Sequence, residues 1–430
     1  MSYLKFLART AIVILFSFFS RLFFDIQVSG LENDPGTPHT YLAISHKRDL
    51  DAIVSIPPIF FHRGLRALAG GIQFALRADT FEKGYLARLL PRPRWLSRLL
   101  YPISVGPILR WLGAHPIEQL SLRSAVEWVR YLLHLEGDVR ASEVFTPVFL
   151  HEVAAEAHVP YQQLAGLHLS RLLTWRYYTA LLPFYSPDIL LEPARRRVER
   201  YLVQHIKQEL NDLGTLLWTG NSLLTAPEGR LSPVGTLSPI TSGLHRLLRL
   251  GPADLTILPI SLMYDFMTTE RPAIFIDIAP PILRPSSLPG HELDSRLQDA
   301  WRCSAHFTCT QLGSGFLVEA NRAHATFTLD EAVDAITRQA LQLVEAGRRV
   351  DPRLLQPHTA RGRVQAFLLY AEQRGLIRPV APLTWEPVMG DTFIKVRPGE
   401  TGYAEAPLAY AWNELQDLLS YPSGLPSPQG

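Results

Sequence analysis

Cysteine is almost missing: Cys303 and Cys309 are the only two in 430 residues. That excludes a disulfide framework and any cysteine-based zinc pattern, and it fits a reduced, cytoplasm-facing protein. Lysine is nearly as scarce. Lys5, Lys47, Lys83, Lys207 and Lys395 are the whole complement, so almost every cation is a guanidinium. The net charge is only +2, so bulk charge implies no nucleic-acid partner. No Gly-x-Ser-x-Gly elbow occurs, because Leu312-Gly313-Ser314-Gly315 lacks the spacing; a serine hydrolase acting on lipids is excluded. His151-Glu152 has no second histidine at the metalloprotease spacing, which removes a zinc hydrolase as well. There is no internal repeat and no low-complexity tract.

What is present is apolar: 47% of the residues are hydrophobic, and the length allows a large buried core in two or three domains. The N-terminus alternates charge and grease. Eleven uncharged residues, Thr10 to Ser20, lie between Arg9 and Arg21 and fall short of the ~20 needed to span a bilayer. No Ala-x-Ala-like site follows, which disfavours a signal peptide. The segment reads as a helix lying in the membrane interface, or dipping in with its arginines snorkelling, the rival being a buried core helix. From Arg88 to Arg110 basic and aromatic residues interleave (Arg88, Arg92, Arg94, Trp95, Arg98, Tyr101), a pattern that suits an anionic lipid surface or an acidic carrier.

Short apolar runs ending in turn residues predict strands at 25–30, 41–45, 65–74, 222–225, 255–262 and 273–278. Helical patterns fall between them: one opening at Asp51 and broken by Pro57-Pro58, one over 82–90, and a long one over 193–213. Strands alternating with helices argue for an α/β fold, a mixed sheet flanked by helices. The expected segments are an interface helix (1–24), an α/β domain (25–123 with 206–290), a helical insertion (124–205) and a mostly helical C-terminal region (291–430).

Two segments carry chemistry. Ser45-His46-Lys47-Arg48-Asp49-Leu50-Asp51 follows an apolar strand and sets a histidine five positions before an aspartate. An aspartate bonded to imidazole fixes its tautomer and raises its basicity, which a base needs in order to deprotonate an alcohol. Of the fourteen histidines, only His46 has an aspartate at that offset. The second segment, Ala226-Pro227-Glu228-Gly229-Arg230, ends a strand in a tight loop. Its glycine admits backbone N–H groups close to an anion, and its arginine can grip phosphate.

Together with an apolar strand around Pro259 that ends at Tyr264, and with Pro102 to Gly106 followed by Gly113 to Ile117, these segments resemble, in order, the four motifs of the glycerolipid acyltransferase family. That family comprises the glycerol-3-phosphate and lysophosphatidate acyltransferases. His46 and Asp51 match its His-x4-Asp motif, and Pro227, Glu228, Gly229 and Arg230 its Pro-Glu-Gly-Arg motif with the arginine shifted by one. The second motif departs: Glu118-Gln119 follow Ile117 where an arginine usually stands, and Arg123 lies at a different spacing. The resemblance implies an enzyme that moves a fatty acyl group from coenzyme A or acyl carrier protein to a hydroxyl of glycerol 3-phosphate or a lysophospholipid. His46 and Asp51 would be catalytic. Glu228, Gly229 and Arg230 would position the polar head of the acceptor, and the positive charge of Lys47 and Arg48 beside the base would attract its phosphate or the carrier, the plainer reading being exposed turn charges. The same resemblance implies a membrane-facing site; with the cysteine usage this reads as the cytoplasmic face, no metal or organic cofactor is implied, and the oligomeric state is left open. A lipid-binding protein that kept the fold and lost turnover is the alternative.

Overall fold

The computed structural model describes residues 3–48, 51–66, 71–89, 94–118, 123–229, 231–388 and 405–421. Arg230 lies outside them, as do Arg92 and the side chains of Arg88, Arg94 and Arg98. The chain forms two compact units. Unit 1 joins Met1–Ile72 to Leu217–Gly430, and unit 2 is Gln73–Leu216.

Unit 1 is α/β, built on a mixed, mostly parallel sheet. Its main strands are β1 (Asp25–Ser29), β2 (Thr40–Ile44), β3 (Ser222–Thr225), β4 (Thr256–Asp265) and β5 (Ala273–Ile278), in the spatial order β1-β5-β4-β2-β3, with the short Ile282–Leu283 pairing antiparallel to the start of β4. β1 runs parallel to β5, and β2 parallel to both β4 and β3; β4 and β5 pair antiparallel. Every residue of β2, β3 and β5 is buried, which explains why they read as continuous apolar runs rather than alternating ones. Pro259 sits inside β4 opposite Ala43 of β2. It has no N–H to give the ladder, and its carbonyl accepts from the Ala279 amide at 3.0 Å.

Helix α1 (Tyr3–Phe23) has 21 residues and is long and apolar enough to cross a membrane by length and composition alone. Arg9 does not snorkel outward. It is buried, with its guanidinium donating to the Ile72 carbonyl at 2.6 Å. Leu4, Ile14, Leu15, Phe18 and Leu22 are exposed. Helix α2 (Asp51–Arg66) continues through Pro57 and Pro58, where a break was expected, and Gly64 with φ of +63° ends its regular part. Val54, Ile59 and Phe60 around the prolines are each 1% exposed. Packing of that order offsets the ~3 kcal/mol that an internal proline costs.

The later part of unit 1 is mostly helical, as its pattern suggested. Helices α3 (Gly290–Ser304), α4 (Cys309–Ala323), α5 (Leu329–Glu345), α6 (Pro357–Gln373) and α7 (Pro407–Leu419) alternate with short strand pairs. Thr308 and Thr328 open α4 and α5 with capping boxes to Gln311 and Glu331. These helices share one core with the sheet: Met263 of β4 and Phe275 of β5 cluster with Phe307, Leu312, Phe367 and Leu415.

Unit 2 is largely helical. Its core gathers Trp128, Phe145, Phe149, Leu150, Val198 and Leu202. A parallel pair joins Ile72–Arg77 to Ala114–Ile117, where a strand had been expected slightly earlier, over 65–74. The helix Glu192–Trp218 is longer at its C-terminal end than its expected bounds of 193–213.

Candidate active site

Three neighbouring strands, β3, β2 and β4, run parallel, and each leads at its carboxyl end into the residues of interest. That is where ligands sit in open α/β sheets. Glu228 lies beyond β3, His46 beyond β2, and Tyr264 near the end of β4. Ser45 ties the junction together: its amide donates to the Ile260 carbonyl, and its hydroxyl accepts from the Leu262 amide.

Asp51, the first residue of α2, is 1% exposed and is the hub. Its Oδ2 receives the Lys47 amide at 2.6 Å, the Arg48 amide at 2.9 Å and His46 Nδ1 at 2.9 Å. Its Oδ1 receives the Tyr264 hydroxyl at 2.6 Å. Four donors fill the acceptor capacity of a carboxylate. The two amides fold the His46–Asp51 turn back on the helix start, and the imidazole bond fixes the proton on Nδ1. Nε2 is then the basic nitrogen. The His46 side chain is 20% exposed, enough to meet a substrate. Burial, and then the Asp51 charge, push the Tyr264 phenol well above its ordinary range, so it remains a neutral donor.

Glu228 is 2% exposed and bridges two segments of backbone. Oε2 accepts the His46 amide at 2.5 Å and Oε1 the Ser238 amide at 2.7 Å. Burial pushes its carboxyl up, against the opposing pull of the His46 amide and Lys47. Its oxygens therefore fasten the Pro-Glu-Gly loop to the histidine. Gly229 has φ of +71°, and a Cβ there would lie 3.0 Å from Thr241 Cγ2. The loop is closed by the Thr241 amide and hydroxyl, both donating to the Pro227 carbonyl at 2.9 Å. Only glycine makes that turn without strain.

Lys47 turns inward. It is 5% exposed, with its ammonium 3.0 Å from Glu414 Oε1 and 3.1 Å from the Gly235 carbonyl. Burial works to lower its pKa, yet Glu414, Tyr410 and Glu228 together outweigh that and the net direction is up. The Arg48 guanidinium lies over the rings of Tyr264, at 4.9 Å, and Phe266, at 4.2 Å. So the structure brings His46, Asp51, Lys47, Arg48, Glu228 and Gly229 together within unit 1, and Arg230 is outside the described residues. Arg123, the arginine displaced from the second motif, belongs to unit 2. There its guanidinium is taken up by Glu118 at 2.5 Å and Tyr131 at 3.0 Å.

Glu414, Gly235 and Ser238 were not foreseen. Glu414 is 367 positions beyond Lys47 by sequence number, and no local spacing signals such a pair. Tyr264 stood at the end of an expected strand, but its bond to Asp51 depends on strand order, which periodicity does not specify.

No protein-family profile and no curated protein matches this chain. Among solved structures, the 1-acyl-sn-glycerophosphate (LPA) acyltransferase PlsC from Thermotoga maritima is similar over 68% of this chain and 76% of that one, at 13% identity and a TM-score of 0.34. A likeness that loose carries no argument about function, which has to come from the residues themselves.

Proposed function

We propose that this chain is an O-acyltransferase that moves a fatty acyl group from an acyl thioester to a hydroxyl of glycerol 3-phosphate or a lysophospholipid, with His46 as general base. The observation that carries the reading is the His46 Nδ1–Asp51 bond at 2.9 Å, set at the carboxyl ends of three parallel strands and fastened to the Pro-Glu-Gly loop by Glu228. The motif order in the sequence supports the choice of acceptor class.

In this mechanism Nε2 of His46 takes the hydroxyl proton as the oxygen attacks the thioester carbonyl. The C–O bond forms, the C–S bond breaks, and the proton passes to the departing thiolate. Thiolate leaves readily, so no strong acid and no acyl-enzyme are needed. Asp51 holds the imidazole and balances the imidazolium charge. Arg230 is assigned to the acceptor phosphate on its position in the Pro-Glu-Gly-Arg motif, and the exposed face of α1 to a membrane surface.

The test is release of free thiol from a long-chain acyl thioester by the membrane-bound full chain, with glycerol 3-phosphate, lysophosphatidate or no acceptor. Acyl-CoA and acyl carrier protein would be compared as donors. Acceptor-dependent release is expected, lower by roughly 10²–10⁴-fold in His46→Ala. Release that the variant keeps would remove His46 as base. No acceptor-dependent release from either donor would overturn the reading and favour the silent lipid-binding protein.

A further inference from the structure

A second cluster of ligating groups lies wholly within unit 2, and the acyl-transfer reading makes no use of it. His205 and Glu209 are four apart on the helix Glu192–Trp218 and so share one face. Glu118 follows the strand Ala114–Ile117, and its backbone amide donates to Glu209 Oε2 at 2.8 Å. One ligand atom from each of the three side chains lies within 4.8 Å of the others.

Glu209 is the odd member. It is 9% exposed, and its second oxygen, Oε1, has no hydrogen-bond donor among the described residues. That oxygen faces His205 Nε2 at 3.4 Å. Zinc bonds to nitrogen and oxygen of ~2.0–2.2 Å put tetrahedral neighbours about 3.3–3.6 Å apart, so the observed separation fits two ligands on one ion as well as it fits an i,i+4 ion pair. Charge favours the ion. Arg123 pairs with Glu118 at 2.5 Å and Glu127 at 3.6 Å, and among the described residues no other arginine or lysine is paired with Glu118, Glu127 or Glu209. With all three carboxylates ionised, that leaves an excess of two negative charges. A divalent cation removes the excess, and the rival solution is uptake of protons.

We propose that unit 2 binds a zinc-class divalent cation through His205, Glu209 and Glu118, stapling the helix to the segment after the Ala114–Ile117 strand. One imidazole and two carboxylates form a borderline donor set that suits zinc better than magnesium or calcium. His205 is 46% exposed, which gives the ion a way in, and solvent would complete the coordination.

The experiment uses the full chain, free of any affinity tag, stripped with EDTA and titrated with Zn²⁺ against a chromophoric chelator. Zn²⁺-dependent thermal stabilisation would be followed in parallel. Wild type is expected to take up one equivalent and to unfold at a higher temperature with it. His205→Ala and Glu209→Gln should bind at least about tenfold more weakly. His205 is half-exposed, so its variant should fold even if Glu209→Gln does not. Failure of the stripped wild type to bind, or binding that His205→Ala leaves unchanged, would overturn the proposal and leave protonation as the answer to the excess charge. Neither readout depends on acyl transfer.

Discussion

At the scale of single residues, the candidate site is notable for how many side chains hold the base and how few face outward. Glu228 makes the point. Its place in the Pro-Glu-Gly-Arg motif suggested contact with the acceptor, but its two oxygens each take a backbone amide, from His46 and Ser238. Glutamine has the same shape but only one accepting oxygen, so one of those amides would face an NH2 group. Glu228→Gln is therefore expected to cost about 1–3 kcal/mol, the usual penalty for a buried donor without a partner. Urea unfolding of the variant measures it directly, and an unchanged midpoint would show that the clip is dispensable. His46 and Asp51 were legible in the sequence because both members of the pair lie in one seven-residue segment. Lys47 was misleading for a related reason. A lysine beside a base suggests anion attraction, whereas its direction depends on a partner far along the chain.

At the scale of elements, legibility followed burial. Strands β3 and β5 have their expected bounds, because a strand covered on both faces must be apolar throughout and ends where the apolar run ends. Helix α2 went the other way. Two prolines weaken its local propensity, but Val54, Ile59 and Phe60 bury enough surface to keep it helical past them. The loop after β3 is constrained from outside itself. Gly235 has φ of +97°, and a Cβ there would sit 2.2 Å from the Tyr410 carbonyl oxygen, on the backbone of α7. Its own carbonyl accepts from the Lys47 ammonium. Gly235→Ala combines backbone strain with a clash against main chain that has little room to move. A loss of more than ~2 kcal/mol is expected. Thermal unfolding of Gly235→Ala beside Gly36→Ala separates the two contributions, since Gly36 also has positive φ but no atom near its missing Cβ. Equal losses would mean that φ alone matters at Gly235.

At the scale of the whole molecule, unit 1 is assembled from the two ends of the sequence, and its stability depends on contacts no local pattern records. Lys47 and Glu414 form one such contact, with side chains only 6% and 5% exposed. Glu414 also accepts from Gln311 Nε2 at 2.5 Å, so α7, α4 and the His46 turn meet at one carboxylate. A buried pair adds little over an apolar pair of the same size, but losing one partner leaves a charge in a medium that cannot solvate it. Glu414→Leu is therefore expected to destabilise the chain by about 3–5 kcal/mol. In Lys47→Met combined with Glu414→Leu the stranded ammonium is gone, so part of that loss should return. A double-mutant cycle in denaturant gives the coupling directly. Losses that simply add would mean that α7 is held by its apolar face, through Leu408, Leu415 and Leu418, and that the ion pair is incidental. Strong coupling would mean that the last helix reaches the candidate base through Lys47, the residue next to it. The C-terminal region would then be part of what builds the site, even though none of its residues belongs to the motifs that first pointed there.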